Sequence, residues 1–253
     1  MPTSESISVV IPAFNEEENL AKTIQTVKEI VSSRFSNYEF LVYNDASTDR
    51  TGAIAEELSC QDARIKVIHH QHNQGLGGCY RSGARIAGKE FYMLVHGDNE
   101  ISPQTIQLII QKATEAEIVI PYIQNPSARP LSRRIISKTY TLLTNFIFGL
   151  RIPYYNGPCL IKTSLVKDLP IESSGFGFMA ETLIKLIKLG HSYVIVGFNC
   201  RLREKGKTKA FRLKNIFNVI MGVFSLRMKL RSFLSSYLRE RTTACNHPEK
   251  MEV

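Results

Sequence analysis

Nothing in this sequence spaces two cysteines for chemistry. The five, Cys60, Cys79, Cys159, Cys200 and Cys245, lie far apart with no C-x-x-C pair, which excludes a disulfide framework and a zinc-ligand spacing and fits a reducing compartment best. Long apolar runs are missing as well. The two most apolar stretches, Leu142 to Leu150 and Ile216 to Leu226, fall well short of the roughly 18 to 20 residues that cross a bilayer, so no membrane-spanning helix is expected. The amino-terminal MPTSESISVVIPAFNEEEN has no basic leader, and its apolar run from Ile7 to Ile11 is too short for a signal-peptide core. Secretion is therefore not expected. There is no internal repeat and no low-complexity segment.

What is present is a chain of 253 residues, 43% hydrophobic, enough for one sizeable core and one active site. Its net charge of +9 is unevenly spread: residues 201–231 hold ten Lys or Arg against one acid, Glu204. Such a field attracts nucleic acid, anionic headgroups or a pyrophosphate, and charge alone does not choose among them. From Ile7 to Pro121, short β-rich runs alternate with helical periodicity, the pattern of a mostly parallel sheet flanked by helices. Strands are expected at Ser8 to Pro12, Glu39 to Asn44, Ile65 to His69, Glu90 to Val95 and Glu117 to Pro121. Helices are expected through Leu20, Ile24, Val27 and Val31, then over Thr51 to Leu58, Leu76 to Ala87 and Pro103 to Ala113. Beyond Pro121 the pattern predicts a helix from Arg133 to Phe148, a turn at Tyr154 to Pro158, a helix from Met179 to Leu189, a strand from Tyr193 to Phe198, and a basic amphipathic tail.

In such sheets ligands collect at the carboxyl ends of strands, and three of those ends are polar. The first carries Pro12, Phe14, Asn15 and Glu16; an acid there can bond ribose hydroxyls, while helix capping and dipole complementation by Asn15 and Glu16 to Glu18 explain the same residues. The second carries Asp45, placed to accept from a base N–H, with Ser47 or Asp49 capping the next helix; the two readings of Asp45 are evenly matched. The fourth carries His96, Asp98 and Glu100, hard or borderline ligands for Mg²⁺ or Mn²⁺, or else an acidic turn before a helix. Asn73, Gly75 and the glycines up to Gly83 open a helix and permit close backbone approach to a ligand. The third glycine of a dinucleotide fingerprint is replaced by Tyr80, and Gly83 to Lys89 matches a phosphate loop only until Glu90, in helix-to-strand order, so both of those motifs are rejected. His69, His70 and His72 suggest a metal cluster, but neighbouring strand residues face opposite ways, and an exposed strand end is the expectation.

Taken in order, Ile-Pro-Ala-Phe-Asn-Glu (11–16), Asn-Asp-Ala-Ser-Thr-Asp-Arg-Thr (44–51), Asn-Gln-Gly (73–75) through Gly83, and His-Gly-Asp (96–98) resemble family 2 glycosyltransferases. Past Pro121 the chain further resembles the dolichyl- and polyprenyl-phosphate sugar synthases, through Ser132-Arg133-Arg134, Glu181 and Arg203-Glu-Lys-Gly-Lys-Thr-Lys209. The resemblance implies a GT-A fold, an α/β Rossmann-like single domain over 1–241. It divides into a nucleotide-sugar half (6–121), an acceptor half (122–210) and a basic amphipathic helix (211–241), with a flexible tail at 242–253. It implies that Pro12, Phe14, Glu16, Asp45, Asn73, Gly75, Arg133 and Lys209 bind donor or acceptor. Asp98, Glu100 and His96 would hold Mg²⁺ or Mn²⁺, and Asp98, Glu181 and Arg203 would serve catalysis. His96 stands where the family's D-x-D has its first Asp, and Tyr155-Asn156-Gly157 replaces an acidic acceptor-side segment.

The implied reaction is inverting transfer from a nucleotide sugar, GDP-mannose or a UDP-hexose, to a polyprenyl phosphate at the cytoplasmic face of a membrane. The basic carboxyl-terminal helix would make the peripheral contact; packing of that helix on the core or on a membrane subunit competes with this. A transferase for a soluble or lipid-linked saccharide and a non-catalytic nucleotide-sugar binder are the alternatives. A nucleic-acid module lacks any supporting motif, and no nucleic-acid partner is expected.

Overall fold

The structure, a computed structural model, describes residues 3–173, 175, 177–199 and 213–246. Seven strands form one sheet: β1 (Thr3–Ala13), β2 (Phe35–Asn44), β3 (Ile65–His69), β4 (Phe91–Leu94), β5 (Ile118–Ile123), β6 (Leu160–Lys162) and β7 (Tyr193–Phe198), in the order β3-β2-β1-β4-β6-β5-β7. Every pairing is parallel except the two made by β6. Among the described residues eight α-helices flank it: α1 (Leu20–Arg34), α2 (Thr51–Gln61), α3 (Gly75–Ile86), α4 (Pro103–Gln111), α5 (Leu131–Phe148), α6 (Thr163–Val166), α7 (Phe178–Lys188) and α8 (Leu213–Asn246).

The alternation of a strand's side chains sorts β1 and β2 into two cores. Ile7, Val9, Ile11, Phe40 and Val42 face α1, α2 and α4. Val10, Leu41 and Tyr43 face α3 and α5 to α8. Leu20, Ile24, Val27 and Val31 are the buried stripe of α1, at the spacing read from the sequence. The five expected strands of the first 121 residues all form, with β1 and β2 extended toward their amino ends, and β7 has the expected limits.

Strand β6 and helix α6 were not expected. β6 is three residues long and forms because the turn at 154–158 returns the chain antiparallel between β4 and β5. The halves expected at 6–121 and 122–210 share this one sheet, since β5 itself runs across the boundary at Pro121. α8 continues to Asn246, five residues past the end expected for it at 241. Among the described residues, no helix is long and apolar enough to cross a membrane.

Candidate active site at the carboxyl edge of the sheet

The chain passes from β1 to β2 and β3 on one side and then returns to β4 on the other, which makes the β1/β4 boundary the point where strand order reverses. Open α/β sheets bind ligands at such a point. The two strand ends meet closely there. The Gly97 N–H donates to Pro12 O at 3.0 Å, the buried Thr23 hydroxyl of α1 donates to Gly97 O at 3.0 Å, and a Cβ on Gly97 would stand 3.0 Å from Pro12 O and 3.2 Å from Ala13 Cβ. A side chain at 97 would make β1 give by a few tenths of an ångström, so glycine suits this close approach of the chain after β4 to β1.

The loops after β1 and β2 are tied to one another. Ser47 Oγ accepts from Asn15 N at 3.1 Å, Asn15 Oδ1 from Thr48 N at 2.9 Å, Thr51 Oγ1 from Glu16 N at 2.8 Å, and Glu17 Oε2 from Arg50 N at 3.0 Å. Asn15 is therefore a strap between loops rather than the cap of α1, whose cap position is Asn19. Glu16 accepts from Asn19 Nδ2 at 3.0 Å, and Phe14 is exposed at the rim. Among the described residues the non-glycine residues with positive φ are Asn15 (57°), Ala46 (62°) and Asn99 (55°). Each sits just past one of the strands β1, β2 and β4. Left-handed backbone costs a β-carbon roughly 1–2 kcal/mol and gathers at functional sites.

Asp45 is almost wholly buried, and its carboxylate is engaged by protein. Oδ1 accepts from Gln74 N at 2.8 Å and faces His70 Nδ1 at 2.7 Å, while Oδ2 accepts from Gly75 N at 2.9 Å. Asn73 Nδ2 donates to the Asp45 carbonyl at 3.1 Å. The anion thus sits at the amino end of α3, where unpaired N–H groups and the helix dipole stabilise it. Gly75 reaches it with φ of 70°, a conformation open to glycine. His70 corrects the expectation of an exposed strand end: His69 and His72 are exposed, but the His70 side chain is only 8% exposed and its ring packs on Tyr43 at 5.1 Å. No local pattern signals this burial, because it depends on β2 and β3 pairing with Asn44 beside His69.

Asp45, His70 and Cys79 place three potential ligand atoms within 4.8 Å. Their geometry is that of a hydrogen-bonded cluster. The Asp45 oxygens already hold two backbone N–H groups, the imidazole contact is a 2.7 Å hydrogen bond, and burial pushes the Cys79 thiol up to about 12.

The 96–100 segment suits a cation better. Asp98 Oδ1 accepts from Glu100 N at 3.1 Å, which leaves Oδ2 turned toward His96 Nδ1, 4.0 Å away, with both side chains open to solvent. Asp98 and His96 offer the hard and borderline donor types that a divalent cation takes, and an imidazole ligand would suit Mn²⁺ better than Mg²⁺. Glu100 lies on the same exposed turn.

Glu181 is placed differently from its expected catalytic role. It lies in the first turn of α7 and is 5% exposed; its carboxylate accepts from Lys185 Nζ at 2.7 Å, Glu172 N at 3.1 Å and Ser173 N at 2.9 Å. Burial pulls this carboxyl upward, but the Lys185 ammonium and the two N–H groups outweigh it and hold it below the ordinary range. Lys185 also donates to Pro170 O and lies 4.8 Å over the Phe233 ring of α8. The pair fixes the 170–173 loop and α8 to α7. Tyr155 is likewise structural: fully buried, it donates to Asn145 Oδ1 at 2.8 Å and anchors the turn on α5. Arg133 lies in the first turn of α5. Arg203 and Lys209 lie outside the described residues.

The family model "Glycosyl transferase family 2" matches residues 8–169. Among curated proteins, the undecaprenyl-phosphate mannosyltransferase of Micrococcus luteus is 27% identical over 214 residues, covering 80% of this chain and 86% of its own. The polyprenol monophosphomannose synthase of Mycolicibacterium smegmatis is 27% identical over 224 residues, 82% of each chain. The dolichol-phosphate mannosyltransferase of Pyrococcus furiosus is 26% identical over 230 residues, 87% of this chain and 63% of that protein. Among solved structures, glucosyl-3-phosphoglycerate synthase from Mycobacterium tuberculosis, in complex with Mn²⁺, uridine diphosphate and phosphoglyceric acid, aligns with a TM-score of 0.64 at 17% identity, over 88% of this chain and 78% of that one. At that identity the likeness speaks for the fold.

Proposed function

The chain belongs to glycosyl transferase family 2, and from that premise we propose that it transfers a sugar from a nucleotide-sugar donor to a polyprenyl phosphate at a membrane surface. The observation that carries the donor half is the convergence of Glu16, Asp45 and Asp98 on adjacent strand ends at the order-reversal point of the sheet. In this reading the strapped loops after β1 and β2 hold the nucleoside, with Pro12, Phe14, Glu16, Asp45, Asn73 and Gly75 around it. Asp98 and His96, with Glu100 beside them, hold a divalent cation. When bound, the ion supplies charge stabilisation for the departing diphosphate. A phosphate acceptor is already ionised near neutral pH, so no strong general base is needed. That agrees with Glu181 being occupied in the interior rather than free to abstract a proton. Arg203 and Lys209, with Arg133, are assigned to the diphosphate and acceptor phosphate on family resemblance.

The acceptor half draws on the outward faces of α5 and α8. On α5 the exposed positions include Leu131, Arg134, Ile135, Lys138, Leu142 and Phe146, with the polar Ser132 and Thr139 among them and Phe146 87% exposed; its opposite side supplies Thr144 and Phe148 to the interior. α8 packs beside α5 and exposes Phe224, Arg227, Met228 and Arg231. Leu131–Phe148 contains no acid, and Leu213–Asn246 contains only Glu240. Exposed apolar stripes interleaved with cations and nearly free of anions fit an anionic lipid interface, where the apolar side chains enter and the cations meet headgroups. The same surface is open to a membrane subunit.

The test is transfer from a panel of labelled nucleotide sugars, including GDP-mannose, UDP-glucose and UDP-N-acetylglucosamine, into a chloroform-extractable product with polyprenyl phosphate and Mn²⁺ or Mg²⁺. Label in the lipid fraction that falls on the order of 10³-fold in Asp98→Ala, with the unfolding midpoint unchanged, is the expected result. Donor binding without lipid labelling would replace the acceptor with a saccharide or leave a binder without turnover.

A further inference from the structure

The two edges of the sheet are built differently. β3 closes one side with five residues, of which Lys66 and His69 are exposed and bond Glu39 and Glu56, and α2 packs beside it. Charges and a neighbouring helix keep an edge strand from pairing with another chain. β7 closes the other side with Tyr-Val-Ile-Val-Gly-Phe, which has neither a charge nor a proline. The Ile118 N–H donates to Ser192 O and the Gln124 N–H to Phe198 O, and along a parallel strand the residues that bond one neighbour alternate. Tyr193, Ile195 and Gly197 therefore turn their N–H and C=O groups away from β5, and among the described residues nothing pairs with those groups. Tyr193 and Ile195 stand in register with Ile118 and Ile120, so their side chains lie on the face that carries α5 and α8, and each is 39% exposed.

We propose that this edge is completed by β7 of a second copy of the chain, running antiparallel about a two-fold axis through Ile195. The outward groups are self-complementary under that axis: Ile195 meets its twin and Tyr193 meets Gly197 of the other copy, about six backbone hydrogen bonds in all. An unrelated strand would satisfy the same groups, but the second copy does something more. The axis stands perpendicular to the sheet and carries each face onto the same face, so the α5 and α8 layers of both copies lie on one side of a continuous sheet, with their exposed apolar and basic surfaces in a common plane. This shared plane rests on the reading that those surfaces meet a membrane; the strand pairing does not. Two such surfaces on one body bind a bilayer with avidity. An edge of six residues is small for an interface, so the dimer should form at about micromolar concentration.

Sedimentation velocity on the full chain, from about 1 to 100 µM, should show monomer passing to dimer. Ile195→Lys and Ile195→Glu each set a charge opposite its twin and should weaken the dimer at least about tenfold, while an equimolar mixture of the two should recover it, since opposite charges then meet across the axis. Hydrogen exchange on the wild type reads the same edge without a substitution: the Tyr193–Phe198 amides should slow at the higher concentration. A wild type that stays monomeric with unchanged exchange, variants that dimerise as well as wild type, or a mixture that remains monomeric would each overturn the pairing. On anionic vesicles Ile195→Lys should bind about tenfold more weakly despite its added cation. Binding equal to wild type would overturn the shared plane. A wild type that dimerises but does not bind vesicles would overturn the membrane reading and leave the dimer standing.

Discussion

The two sides of the molecule are stabilised by different means. At the donor edge, the loops after β1 and β2 are held by a lattice of backbone-to-side-chain hydrogen bonds between neighbouring strand ends, mostly at exposed or half-buried positions. On the acceptor side, beside the apolar packing of α7 and α8, one buried ion pair, Glu181 with Lys185, ties the 170–173 loop to α7 and α8, its side chains 6% and 5% exposed. A network of many exposed bonds loses little when one is removed. A single buried pair loses nearly everything, because the surviving charge is stranded in a medium that cannot solvate it. The contrast suits the chemistry proposed for each side: a nucleotide pocket preset in shape, and an acceptor region that must meet a surface.

The largest effect should come from breaking that pair on one side only. Lys185→Met leaves the Glu181 carboxylate buried without its cation, and a loss of about 3–5 kcal/mol is expected in chemical denaturation. Removal of one loop-to-loop strap, as in Ser47→Ala, which deletes the Oγ that accepts from Asn15 N, should stay within about 1 kcal/mol, and equal losses would erase the contrast. Next is the surface itself. Replacing Leu142 and Phe146 together by Glu should lower binding to anionic vesicles at least tenfold, about 1.4 kcal/mol, in a sedimentation assay. UDP or GDP affinity should be unchanged, and vesicle binding equal to wild type would remove α5 from the membrane surface.

Acid sharpens the same comparison. Glu181 has its carboxyl depressed in the folded state, so the stability it contributes is full above its unfolded value near 4.5 and is lost as pH falls through the lower folded value. The unfolding midpoint should therefore drop as pH is taken below about 4.5, and Glu39 of β2, where burial is outweighed by Lys66, the Gly88 N–H and the Ser8 hydroxyl, should add a share from the donor side. Smallest is the strain at the donor edge. Ala46 at φ of 62° pays for a left-handed turn that glycine adopts freely, so Ala46→Gly should stabilise by up to about 1 kcal/mol in thermal unfolding. Destabilisation would mean that the Ala46 methyl has a packing role.

The donor edge was legible in the sequence because its determinants are local. A strand's apolar run, the polar residues that follow it and the cap of the next helix fall within about ten residues, so Glu16, Asp45 and Asp98 could be placed at strand ends before their strands were seen to be neighbours. The acceptor side was less so. β6 is too short to have a period, and Glu181 reads as an active-site acid until its position against Lys185 and the 170–173 backbone is known. The stripe on α5 reads as a core face, since Leu131, Ile135, Leu142 and Phe146 have the spacing of buried residues and yet point away from the sheet.

The sequence by itself determined the family, the parallel strand-helix alternation and the three polar strand ends, because hydrophobic period and turn chemistry act between residues close along the chain. Only the tertiary structure decided that His70 is buried on Asp45, that Glu181 is buried, and that one face of α5 is left uncovered. Each of these depends on strand register and on which helix packs against which, and those long-range contacts leave no local signature.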